Sequence, residues 1–234
     1  VRASNVPTAI VRTSADAEGS TNFDEVEKSY LELIDRARRS IYIENQYFTS
    51  DGIANALSDR LDEEDGPEVA LVLPAETSGW LEQLTMEVLR NKALHRLCSA
   101  DKHQRLEILA PFSKELGDTT INVHSKVMIV DDRLLRVASS NLSNRSMGLD
   151  CECDLAIEAD ADADTQQAIR TFREQLLAEH LGVADPIANP AGGVAGSIYE
   201  GWDAICPEPF FTGAARTSIL NVLSWTWPYA RICY

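Results

Sequence analysis

Apolar positions along the chain follow two rhythms that alternate from end to end. Between Asp24 and Arg39, Val26, Tyr30, Leu33, Ile34 and Ala37 recur near helical spacing, which predicts an amphipathic helix with acids early and Arg36, Arg38 and Arg39 late. The stretch SIYIENQYF then changes to β-branched and aromatic residues, the signature of a strand that ends in polar groups. A second unit repeats this: a helix around Ile53–Leu61, an acidic turn, and the continuous apolar run VALVLP. Unbroken runs of that kind suit strands buried on both faces. A long helix from Trp80 to Leu97, a strand at LEILAP, a strand at CDLAIEA and a helix through ADTQQAIRTFREQLLAEHLG follow, the last with Gly182 as its stop. A further short apolar run, AIVRTSA, lies near the start. Strands alternating with helices predict an α/β fold, a central sheet flanked by helices on both faces.

One domain followed by a linker and a C-terminal tail is expected. Residues 1–182 carry the α/β pattern. Residues 183–234 open with the linker-like ADPIANPAGGVAGS and close in a segment with little charge that holds Trp202, Phe210, Phe211, Trp225 and Trp227. Aromatics of this sort pack into a core or face a lipid surface, and core packing is the more common use.

The densest group of polar side chains lies within VHSKVMIVDDRLLRVASSNLSNRSM, Val123 to Met147. His124 and Lys126 are two apart and so project together from an extended segment. VMIV reads as a buried strand, DDR as a tight turn, and LLRVA as the returning strand that delivers Ser139 and Asn141. Such a hairpin brings an imidazole, an ammonium, a hydroxyl and an amide to one end of the sheet. These groups suit a phosphate centre: Lys126 as the charge, Ser139 and Asn141 as hydrogen-bond donors to its oxygens, and His124 as nucleophile or proton carrier. Charge stabilisation of this kind requires neither metal nor cofactor, and none is expected.

The spacing H-x-K-x4-D-x6-G-S-x-N resembles the signature of the phospholipase D superfamily, the HKD phosphodiesterases. His124, Lys126, Asp131, Ser139 and Asn141 match it, and Ala138 departs from it where the family has Gly. IYIENQYF and NRSMGLDCECDLAIE are similar to the segments flanking the second motif of two-motif phospholipases D, so the likeness runs from about Ala9 to Gly182. The resemblance implies a phospholipase D-like αβα sandwich in which His124, Lys126 and Asp131 are the catalytic set. Asp131, past the strand at a turn, is expected to hold structure or an ion pair more than substrate. Glu152 matches the acid that hydrogen-bonds the catalytic His. Glu44, Asn45 and Gln46 are expected beside the pocket, and Arg145 and Ser146 beside the phosphate loop. His95, His103 and His180 lack the paired Lys and read as structural or solvated.

In the family two HKD motifs build one site, one His forming a phosphohistidine and the other protonating the leaving alcohol. This chain shows one motif. It begins with Val, and is expected to be the C-terminal half of a two-motif enzyme; a symmetric homodimer of single-motif chains is the competing expectation. The implied substrate is a phospholipid phosphodiester, with water or an alcohol as acceptor and peripheral membrane contact. A net charge of −16 repels polyanions, which disfavours nucleic acid as a partner and with it a dimeric nuclease. A non-catalytic half that only binds phosphate is the third reading. The five cysteines show no metal-like or CxxC spacing and read as reduced thiols, which together with the lack of a signal peptide or a membrane-length apolar run points to a cytoplasmic protein.

Overall fold

The two rhythms resolve into one sheet between two helical layers. The computed structural model describes residues 6–15, 23–75, 80–111, 121–159 and 162–181. The expectations for Gly182 and for the tail 183–234 lie outside these residues. In chain order the elements are β1 (Thr8–Ser14), β2 (Phe23–Asp24), α1 (Glu25–Arg36), β3 (Ser40–Glu44), α2 (Asp51–Asp62), β4 (Glu68–Val72), α3 (Trp80–Ala100), β5 (Leu106–Leu109), β6 (Val127–Val130), β7 (Leu134–Val137), α4 (Asn144–Gly148), β8 (Glu152–Glu158) and α5 (Ala163–Leu181). The expected helices and strands are all present; β2 and α4 are additions, too short to leave a periodic signal.

The sheet runs β2-β1-β8-β7-β6-β3-β4-β5. β3, β4 and β5 pair in parallel, whereas β3–β6, β6–β7, β7–β8 and β8–β1 are antiparallel. Alternation along the central strands sorts their side chains between two cores. Ile41, Ile43, Val69, Leu71, Met128 and Val130 pack against α1, α2 and α3 through Tyr30, Ile34, Leu57 and Leu97. Tyr42, Ala70, Val72, Ile129 and Leu135 face the other way, onto Ile169, Phe172, Leu176 and Leu177 of α5. Burial on both faces is why these strands are apolar without alternation.

The β6–β7 connection is a tight turn in which Asp131 and Asp132 both take positive φ, 55° and 57°. The Arg133 N–H donates to the Val130 carbonyl at 2.9 Å, closing a turn of mirror-image type that tolerates Asp better than most residues. Asp132 then pairs with the buried Arg173 of α5 at 2.7 Å. Cys151 and Cys153 are free and exposed. No helix among the described residues is long and apolar enough to cross a membrane.

Candidate active site

The antiparallel return of β6 and β7 sets the geometry. Glu44 pairs with Val127 and Val127 with Val137, so the C-terminal end of β3, the start of β6 and the end of β7 share one edge of the sheet. Glu152, at the start of β8, reaches the same edge. It is also where the parallel strands β3, β4 and β5 end, the side on which open α/β sheets place their sites. His124, Lys126, Ser139, Asn141, Glu44, Asn45, Gln46 and Glu152 thus all collect there.

His124 is exposed, and no hydrogen bond holds its ring among the described residues. Lys126 is 8% exposed, and its Nζ donates to the His124 carbonyl at 3.0 Å. Burial lowers the Lys126 pKa, and the negative charge of Glu152 opposes that shift. A buried ammonium bonded to a single carbonyl keeps donors for an incoming anion. The Lys126 carbonyl accepts from the Ala138 N–H at 2.8 Å, which ties the His-bearing segment to the loop carrying Ser139 and Asn141. Ala138 does not take positive φ, so this backbone has no conformational need for the family's Gly.

That loop is fixed from several sides. Asn45, 1% exposed, accepts from the Leu142 and Tyr47 N–H groups at 3.1 Å each and directs its amide at the Ser140 carbonyl. The Leu142 carbonyl takes the N–H groups of Thr49 and Ser50 at 2.7 and 3.0 Å. Ser146 accepts the Asn141 N–H at 3.1 Å, as expected for a brace, while Arg145 points away to Asp150 at 2.7 Å. The Asn141 Oδ1 is buried with no hydrogen-bond partner. Gln46 is half-buried beside Asn45.

Two expected residues are placed differently from the simplest reading. Asp131 lies at the opposite end of β6 from Lys126, where its carboxylate accepts the N–H groups of Arg38, Arg39 and Ser40 at 2.8, 2.7 and 2.9 Å. It joins β6 to the start of β3 and stands apart from the cluster. Glu152 accepts the Ser139 hydroxyl and makes no hydrogen bond to His124. The β7–β8 register explains this: it sets Ser139 beside the start of β8, and the Cys153 N–H also donates to the Ser139 Oγ at 3.0 Å.

The sequence reading missed the residue that shapes the loop. Asp154, 1% exposed, takes the Ser139 and Ser140 N–H groups on Oδ1 at 2.9 and 3.1 Å. On Oδ2 it takes the Ser140 hydroxyl at 2.6 Å and the Arg136 guanidinium. Arg136 is fully buried and stacks on Tyr30, 3.6 Å from the ring centroid. The available signal was one Arg and one Asp, each alone inside an apolar strand, which buried charges tolerate only as a pair. Among the described residues no three His, Cys, Asp or Glu side chains cluster in a way that could hold a metal ion.

Comparison with known proteins bears on the family and the fold. Residues 30–176 match the family described as cardiolipin synthase, PLD-like domain. Phospholipase D A of Dictyostelium discoideum is 26% identical over 208 residues, covering 70% of this chain, and Phospholipase D C of the same organism is 28% identical over 152 residues, covering 53%. The chain spans only 16% and 9% of those two proteins. Among solved structures the fold is shared with the phosphatidylserine synthase of Haemophilus influenzae, with a TM-score of 0.55 at 21% identity over 77% of this chain and 40% of that one. It is shared also with Nuc, a phospholipase D family member from Salmonella typhimurium, with a TM-score of 0.50 at 17% identity over 73% of this chain and 94% of Nuc. With more than half of its length, residues 30–176, matched by the PLD-like domain family, the chain belongs to the phospholipase D superfamily.

Proposed function

We propose that this chain supplies one half-site of a phospholipase D-type phosphodiesterase acting on phospholipid headgroups. The observation that carries the reading is the meeting of an exposed His124 with a buried Lys126 beside the pinned Ser139–Asn141 loop. Lys126 and Asn141 hold non-bridging phosphate oxygens and Ser139 closes the loop around them. One histidine of the complete site attacks phosphorus as the P–O bond to the leaving alcohol breaks, giving a phosphohistidine. The other donates the proton to that alcohol, the role assigned here to His124. Water or an alcohol then attacks phosphorus, returns a proton to the same imidazole, and frees the first histidine. The names of the Dictyostelium relatives and of the Haemophilus synthase support a phospholipid substrate.

Assays of the intact gene product with and without His124→Asn, on phosphatidylcholine and on a single-stranded nucleic acid, test this. Loss of lipid cleavage in the variant is expected; equal activity in both forms overturns the assignment. The coverage of nearly all of Nuc favours a second reading, in which one such unit is a whole chain and two copies pool their histidines. Activity confined to dimers of this chain, and extending to the nucleic acid, would select it.

A further inference from the structure

The segment that bears the reactive pair is not part of the sheet. β6 begins at Val127, and residues 121–126 lie outside any strand. Two of its ties have been described, from the Lys126 Nζ to the His124 carbonyl and from the Ala138 N–H to the Lys126 carbonyl. Neither reaches Ser125, which separates His124 from Lys126. Ser125 is held by its own hydroxyl, which donates to Oε2 of Glu44.

Glu44 is an unusual anchor. It is 2% exposed at the end of β3, and its other oxygen takes the Tyr42 hydroxyl and the Nε2 of His180 at 2.9 Å. Burial pushes a carboxyl's pKa up, yet the hydrogen bonds from His180, Ser125 and Tyr42 outweigh it and hold Glu44 below the ordinary glutamate value. Tyr42 shifts the other way, raised by burial and by the Glu44 charge. The ionised carboxylate is therefore the form that the three donors are built around. His180 belongs to the last turn of α5, the helix that packs the opposite face of the sheet from α1, α2 and α3.

Resting on the half-site reading above, we infer that Ser125, Glu44 and His180 form a clamp that positions His124 and Lys126, with Ser125 as the contact and Glu44 as the fixed point. None of the three touches the reacting atoms, so they are positioning residues. The clamp makes the geometry of the HxK segment depend on the docking of the end of α5. Ser125 sits between the two functional side chains, so a small displacement of it moves both, and misplacement of about 1 Å costs on the order of a hundredfold in rate.

The test uses the full chain carrying 13C-labelled histidine, with the His124 and His180 ring signals assigned by His124→Asn and His180→Gln. Ser125→Ala leaves Glu44 bonded to Tyr42 and His180, so the fold is retained. It is expected to shift and broaden the His124 signal and to speed amide exchange at least tenfold at Ala138, whose N–H donates to the Lys126 carbonyl. Ser125→Thr, which keeps the hydroxyl, is expected to restore both. His180→Gln is expected to move the His124 signal even though no hydrogen bond joins the two among the described residues. A His124 signal and exchange rates unchanged in Ser125→Ala would overturn the clamp. Because this readout needs no turnover, its failure is distinct from failure of the phosphodiesterase reading, which His124→Asn tests by activity.

Discussion

Removing the Asp154 carboxylate is expected to cost the protein much of its stability and to loosen the site in the same step. Asp154→Ala leaves the Arg136 guanidinium fully buried without its counter-ion, and leaves the Ser139 and Ser140 N–H groups without an acceptor. Breaking one side of a buried pair costs about 3–5 kcal/mol. For a chain of this size that is a fall in Tm of roughly 6–20 °C, at about 2–4 °C per kcal/mol. Urea denaturation followed by circular dichroism measures it, a lower midpoint at unchanged slope marking a loss of stability alone. The double variant Arg136→Met/Asp154→Leu separates the two components. It removes the stranded charge, and apolar replacement of a buried pair is often close to neutral. The two loop N–H groups still lack a partner, at about 1–3 kcal/mol each when buried. Recovery is therefore expected to be partial. A loss below about 1 kcal/mol in Asp154→Ala, or full recovery in the double variant, would refute the account of Asp154 as the shared support of core and loop.

Three further outcomes follow from the same geometry. Asp131→Ala strands three N–H groups at the start of β3 and is expected to destabilise by about 3 kcal/mol in urea denaturation. Phosphate affinity, read by titration calorimetry, should stay unchanged within twofold; a tenfold loss would place Asp131 in the site after all. For Glu44 the folded pKa lies below the unfolded one, so the unfolded chain binds the extra proton between them and stability rises with pH across that window. This contribution is complete above the ordinary glutamate value and is lost as pH falls through the lowered folded value. Glu44→Gln is expected to destabilise near neutrality and to converge on the wild type in acid; a pH-independent difference would argue against a carboxylate at this position. Glu152→Gln removes the charge that supports the Lys126 ammonium and should lower the Lys126 pKa further, seen by 15Nζ titration as neutralisation at a lower pH. A Lys126 titration that does not move would show that Glu152 and Lys126 are not coupled.

The architecture was legible because burial leaves a mark on composition. VALV and VMIV carry no alternation since both their faces are covered, and the amphipathic stripe Val26, Tyr30, Leu33, Ile34 of α1 faces one core. The candidate site was legible for a different reason, the fixed spacing of His124, Lys126, Ser139 and Asn141 around a hairpin. What sequence could not give was partnership across the sheet. Glu152 lies near the same edge as His124, but strand register hands its carboxylate to Ser139. Asp154 and Arg136 are 18 positions apart and look like isolated charges until β7 and β8 are paired. His180, read as structural or solvated, meets Glu44 across 136 positions, a contact no local pattern encodes.

The four-residue strand β6 keeps two kinds of work apart. At one end Asp131 fastens the backbone; beyond the other end of a strand roughly 13 Å long at 3.3 Å per residue lie Lys126 and His124, the pair assigned to the proposed half-site. Inactivating changes in this short stretch therefore fall into two classes that a single activity assay would merge. Lesions at the Asp131 end reduce how much folded protein a cell keeps, because a loss of a few kcal/mol feeds the unfolded pool that proteases clear. On the half-site reading, lesions at His124 leave abundance intact and remove turnover alone. Raising the dose compensates the first class and leaves the second unchanged.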